Sequence, residues 1–263
     1  MSDNDSARSS RDSTRNTLIV AIGVSFICSI LVSTAAIVLR PIQDVNAAAF
    51  QQAIVLQVAG LYDPEQSIAS QFEAIETRIV DLETGEFTDL DPSEFDAEEA
   101  ANDPELSVAI PAGDDIASVK RRARYATVYL VSDGDELTQV ILPVRGKGLW
   151  STLYGFLAVE PDGNTVRGLK FYEHAETPGL GDQIDRPSWQ AQWEGLQLTD
   201  ASGNPQVEVM RGMAPEGSTY QVDGLSGATL TGKGVENLVR FWTGKQGFGP
   251  FLTRLGSEGN NNG

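Results

Sequence analysis

Cysteine and histidine are almost missing from this chain, with one of each, Cys28 and His174, in 263 residues. A single cysteine excludes an intrachain disulfide, and zinc or iron–sulfur centres built on several Cys and His ligands go with it. Any redox chemistry therefore needs an added cofactor. Positive charge is scarce too: Lys and Arg number 19 against 37 Asp and Glu, a formal net charge of −18. A phosphate backbone attracts a basic face, so a bulk nucleic-acid role is excluded. Neither G-x-x-x-x-G-K-[ST] nor G-x-S-x-G occurs, which removes a nucleotide P-loop and a hydrolase nucleophile elbow.

One long apolar run is present. Leu18 to Leu39 is 22 residues without a charge. As a helix it extends about 33 Å, enough for a bilayer core of roughly 30 Å. A cleaved signal peptide competes with this reading. Its apolar region is usually ~7–15 residues with small residues close behind. Here Arg40-Pro41 follows, and Ala47-Ala48-Ala49 lies well beyond. Cys28 sits in mid-run behind Ile27, a poor setting for lipoprotein processing. It reads as a small residue facing lipid or another helix. Arg8, Arg11 and Arg15 precede the run, and basic flanks favour the cytoplasm, whereas Asp3, Asp5 and Asp12 count little in that rule. The expected layout is a cytoplasmic tail over 1–17, a membrane helix over 18–39 and a main domain outside the cytoplasmic membrane, with a flexible tail over 256–263.

Residues 40–119 read as helices followed by an acidic loop. Gly60 breaks the first helix. Asp63 as N-cap, Pro64 and the spacing of Ile68, Phe72, Ile75 and Ile79 predict a second. Glu83 to Glu105 holds ten acids and no base, the pattern of a solvated loop. The cluster Lys120–Arg124 reads as an exposed edge pairing with that stretch.

Residues 120–255 turn to strands. "YATVYLV" and "LTQVILPV" flank "SDGDE", and "YGFLAVE" and "TVRGLKFYEH" flank "PDGN". Asp-Gly between such runs signals a hairpin. "RPSWQAQWEGL" is a short helix, and Val235, Leu238, Val239 and Trp242 share one face of a longer one. Hairpins flanked by helices, without βαβ alternation, predict an α+β domain.

Three segments can carry chemistry. "SGATLTGKG" (226–234) is a small-residue turn entering a helix. Helix starts present free N–H groups and partial positive charge to an anion, and Thr229 and Thr231 add hydroxyls. Its ordinary reading is a capped turn. "HAETPGLGDQ" (174–183) puts Leu180 at a loop tip between Gly179 and Gly181, where it either presses on a flat ring or is buried in a tight turn. In "LPVRGKGLWSTLYGF" (142–156), Gly146 and Gly148 lie beside Trp150 and Tyr154, which wall a planar cofactor or fill a core. His174 reads as structural, with no second histidine or cysteine beside it.

In combination, "RGKGLWSTLYGF", "FYEHAETPGLG", "WQAQW" and "DGLSGATLTGKGVENLVRFW" resemble the C subunit of the sodium-translocating NADH:quinone oxidoreductase. The flavin domain is also similar to that of the G subunit of the Rnf complex. The resemblance covers nearly the whole chain and is weakest over the acidic stretch. It implies one FMN joined through its phosphate to Thr229, rather than Thr231, by a flavin transferase that uses FAD. Asp223, Ser226, Gly227 and Ala228 would belong to the attachment motif. Glu176, Thr177, Gly179, Leu180, Gly181 and Trp150 would wall the isoalloxazine. It further implies an electron carrier with no substrate pocket, catalytic residue or metal of its own. Its place would be the bacterial inner membrane, with its main domain periplasmic and the complex's B subunit as its partner. Quinone reduction and sodium export would occur elsewhere in that complex. The competing function is a membrane-anchored phosphate-binding or assembly module.

Overall fold

The computed structural model describes residues 14–259; the arginines and aspartates at positions 3–12, and the last four residues of the expected flexible tail, lie outside them. Two compact units divide the chain, residues 1–49 and 50–263.

The first unit is helical. Helix α1 spans Thr14–Val58. It is long and apolar enough to cross a membrane, with a mean hydropathy of 2.4 over its most apolar window. The helix continues through Pro41, just past the end of the apolar run. A proline removes one i→i−4 bond, and a helix of this length tolerates that loss.

In the second unit, α1 ends in a Schellman turn. Leu61 N–H donates to Leu56 O (2.9 Å) and Gly60 N–H to Gln57 O (3.2 Å), with Gly60 at φ 72°. The expected second helix is reduced to α2, Ile68–Phe72, capped by Ser67 and not by Asp63. Asp63 Oδ1 instead accepts from Glu65 N–H, closing a local turn. Ile75 and Ile79 belong to strand β1, Ile75–Asp81. A spacing of four satisfies a period of two as well as a helical turn, and pairing with a later strand decides between them.

The acidic stretch that follows is partly ordered. Asp96 caps α3, Ala97–Asn102, and β2 (Ser107–Ala109) pairs with β3 (Arg121–Ala123). Arg124 meets Glu83 at 3.2 Å as expected of the basic cluster, but Arg122 is buried.

The long strands come next: β4 (Tyr125–Asp133), β5 (Glu136–Lys147), β6 (Thr152–Val159) and β7 (Val166–Glu173). With β1 they form a five-stranded antiparallel sheet in the order β1-β4-β5-β6-β7. Both expected hairpins are present.

Side chains alternate between the two faces of the sheet. Val140, Leu142 and Val144 of β5 join one core, with Leu153 and Leu157 of β6. Ile141, Phe156 and Ala158 point the other way, against Ile54, Val55, Leu56 and Val58 of α1. After β7 come the short helix α4 (Pro187–Gln190), a 3-10 turn at Ala191–Trp193, and a two-residue parallel pair, β8 (Glu208–Val209) with β9 (Gln221–Val222). Helix α5, Thr229–Thr243, covers the first face of the sheet, and its Val235, Leu238 and Val239 are fully buried. Helix α6, Gly249–Gly259, follows and extends into the expected tail. The architecture is α+β: one long apolar helix and an antiparallel-sheet domain.

Candidate functional site

Helix α5 packs on β5 with its backbone nearly touching the strand. A Cβ added at Gly234 would lie 2.5 Å from Lys147 O, and one at Gly146 would lie 2.9 Å from Leu238 Cβ. These glycines serve backbone approach, which brings the start of α5 beside the turn after β5.

At that junction the three singled-out segments meet on one carboxylate. Glu176 is 5% exposed. Its Oε1 accepts from Leu149 N–H (3.0 Å) and Trp150 N–H (3.1 Å), and its Oε2 accepts from Thr231 Oγ1 (2.5 Å). A Cβ at Gly148 would fall 2.5 Å from Oε1. One at Gly181 would fall 2.9 Å from both Oε2 and Thr231 Oγ1. Glu176 is turned inward and holds the surrounding loops. A buried carboxylate requires such donors.

The two threonines are thereby separated. Thr231 is fully buried and bonded to Glu176. Thr229 is exposed at the first position of α5. No side chain caps this helix, and its first turn holds no acid. The free N–H groups of a helix start favour an anion there. Gly227 takes φ 74° to make the turn, Ser226 is exposed, and Ala228 is packed into the core.

Leu180 is 43% exposed at its loop tip and closes over Gly227, where an added Cβ would lie 2.9 Å from its Cδ2. Gln183 ties the two loops, donating from Nε2 to Leu180 O (2.5 Å) and Ser226 O (3.0 Å). Trp150 is 65% exposed and donates from Nε1 to Thr177 Oγ1 (3.0 Å). Gly179 supplies the left-handed residue of its turn at φ 77°. Tyr154, in contrast, projects from the opposite face of the sheet, against Tyr172.

Asp223 is a structural junction. Its Oδ1 accepts from Ala214 N–H (2.7 Å) and its Oδ2 from Gln192 Nε2 (3.1 Å). Its carbonyl accepts from Trp189 Nε1 (2.8 Å). The "WQAQW" helix thus anchors the loop that precedes Thr229. Sequence reasoning assigned no role to Gln183, Gln192 or Trp189, because a bridging amide or indole carries no local pattern. His174 has a structural role: Nδ1 accepts from Glu176 N–H (3.2 Å), leaving Nε2–H for Asp185 at 2.7 Å.

The family model described as FMN-binding domain matches residues 148–244, from the turn after β5 to the end of α5. The Na(+)-translocating NADH-quinone reductase C subunit of Vibrio alginolyticus is 49% identical, over 94% of this chain and 97% of its own. Its counterpart in Pseudomonas aeruginosa is 50% identical over 93% and 97%. This chain belongs to the C-subunit family of Na(+)-translocating NADH-quinone reductases. Its fold is also that of a solved family structure, Shewanella oneidensis NqrC. That structure is 38% identical with a TM-score of 0.74, over 80% of this chain and 98% of the other. The FMN-binding match encloses Glu176, Thr229 and Thr231 together.

Proposed function

We propose that this chain is the electron-carrying C subunit of a sodium-translocating NADH:quinone oxidoreductase. We further propose that it holds one FMN, joined through its phosphate to Thr229 Oγ1. The observation that carries this reading is the division between two hydroxyls two residues apart: Thr231 is buried against Glu176, whereas Thr229 is exposed at an uncapped helix start. Family membership and the FMN-binding match support it.

The residues present fit such a group. The first N–H groups of α5 would hold the phosphate, and the hydroxyl of Thr229 would form the phosphodiester. Leu180 and Trp150 offer apolar surface to a flat ring, with Thr177 holding the indole of Trp150. Gly179 and Gly227 shape the turns, while Glu176 and Gly181 lie beneath. Bound there, FMN supplies redox chemistry that no side chain of this protein provides. The chain's own residues position it, exclude water from one side and keep it from diffusing away.

Attachment by a flavin transferase that uses FAD would join Thr229 Oγ1 to the FMN phosphorus, break the pyrophosphate bond and release AMP. The hydroxyl proton would pass to a base of the transferase. Ser226 and Gly227 are exposed beside the acceptor. Asp223 would act by fixing the loop's shape.

The apolar helix α1 supports a single-pass anchor in the bacterial inner membrane. The arginines ahead of it support a cytoplasmic N-terminus and a periplasmic main domain. Electrons would leave toward the B subunit, with ubiquinone reduction and sodium export elsewhere in the assembly. The test is the intact mass of the protein from native membranes, followed by peptide mapping. One FMN-sized addition on the Thr229 peptide is expected. An unmodified mass, with the transferase shown to be present, would replace this reading with a reversible phosphate-ligand or assembly module.

A further inference from the structure

The sheet face opposite α5 is covered only in part. The last turns of α1 pack on one end of it, and residues 93–98 of the acidic stretch lie over the other. Between them is a cavity of about 520 Å³. One wall is a run of aromatic rings: Tyr129 and Phe156 are 5.9 Å apart, Phe156 and Tyr172 5.2 Å, Tyr172 and Tyr154 6.1 Å. Tyr125, Tyr129, Tyr154 and Tyr172 all line it.

Arg122 also lines this cavity and is 5% exposed. It makes one hydrogen bond, from NH1 to Ala123 O (3.1 Å), and its Nε has no partner. Burial disfavours its charge, and the nearby Asp81 and Glu83 offset that only in part. A guanidinium N–H left without an acceptor in the interior is costly. Arg145 lines the cavity too. The carboxylates of Glu94, Asp96 and Glu98 lie on the acidic lobe, where Asp96 is engaged in capping α3. Arg122 stands on β3, which packs with α3 of the acidic lobe, and Arg145 on β5 of the main sheet, so donors line the cavity from both sides.

We infer that this cavity is a second ligand site, for a planar aromatic molecule bearing carbonyl or carboxylate oxygens at one end. Its ring lies along the Tyr129–Phe156–Tyr172 wall, and its oxygens accept from Arg122 and the tyrosine hydroxyls. The site is separate from the loops around Thr229. Helix α5 begins at those loops and reaches the cavity with Trp242, about 20 Å further along its axis.

The test is calorimetric titration of 2-naphthoate into the detergent-solubilised full chain with its native cofactor content, against matched detergent buffer. One saturable site is expected. Arg122→Gln should weaken it about tenfold or more, the loss of a charge-assisted contact. Thr127→Trp, which fills the cavity and leaves Arg122 in place, should weaken it at least as much. Leu180→Ala, at the other site, should leave the titration unchanged. If Arg122→Gln fails to fold, Thr127→Trp decides alone. No saturable heat, unchanged binding in the cavity variants, or binding lost with Leu180→Ala would overturn the inference.

Discussion

The two faces of the central sheet are built on opposite plans. Under α5, glycines at 146, 148, 181 and 234 let backbone and carboxylate approach to contact distance. The buried acid there, Glu176, has partners for both oxygens. Across the sheet, bulky rings stand over a cavity, and the Nε of a buried arginine lacks an acceptor. Close packing with satisfied polar groups gives one rigid arrangement, which the proposed attachment point would need. Open packing with unsatisfied donors gives a receptive surface.

The sharpest way to break this comparison is at the two hydroxyls. Thr229→Val keeps nearly the same volume and should fold normally yet carry no covalent flavin, read as loss of the in-gel flavin band and of the mass addition. Thr231→Val should keep the flavin but lower stability by about 1–3 kcal/mol, because Glu176 Oε2 loses its donor. Flavin persisting in the first variant or missing from a folded second would reverse the assignment.

Glu176→Leu should cost roughly 3 kcal/mol in denaturant unfolding, since two N–H groups and one hydroxyl lose a charged acceptor at once. Glu176→Gln should recover part of that loss, as an amide can still accept from the backbone and donate to Thr231 Oγ1. Gly234→Ala should follow at about 1–3 kcal/mol, because its Cβ meets Lys147 O.

The smallest effect lies on the open face and depends on pH. Burial pushes the Tyr129 phenol from 10.0 up to about 12. The folded state thus binds a proton that the unfolded state releases first. That contribution to stability is whole below pH 10 and falls away as pH rises toward 12. Tyr129→Phe should flatten the decline in unfolding free energy over that interval. An identical alkaline decline in both proteins would mean that the ring is already wet.

Much of this could be read from local pattern. The Asp-Gly turns with flanking alternation mark both hairpins, and the apolar stripe of α5 marks its buried face. Ile75 and Ile79 misled because a four-residue spacing suits a strand as well as a helix, and only pairing with β4 resolves it. The acidic stretch concealed α3, whose helix is short and held by a single Asp96 cap. In the site, a motif points to Thr229 without a physical reason against Thr231; the proposal rests that reason on Glu176, 55 residues from Thr231. The motif marks Asp223 as well, but no motif shows that its carboxylate binds Ala214 and Gln192 within the fold. Contacts between distant segments leave no periodicity to find.

Glu176 joins groups that lie 27 and 55 residues from it along the chain. Contacts of such separation cost more loop-closure entropy than local ones and form more slowly. The loop bearing Thr229 therefore acquires its final shape late, as a product of the finished domain. An enzyme that reads that shape inspects its substrate for completed folding, so an attached cofactor would also be a record that the protein had passed.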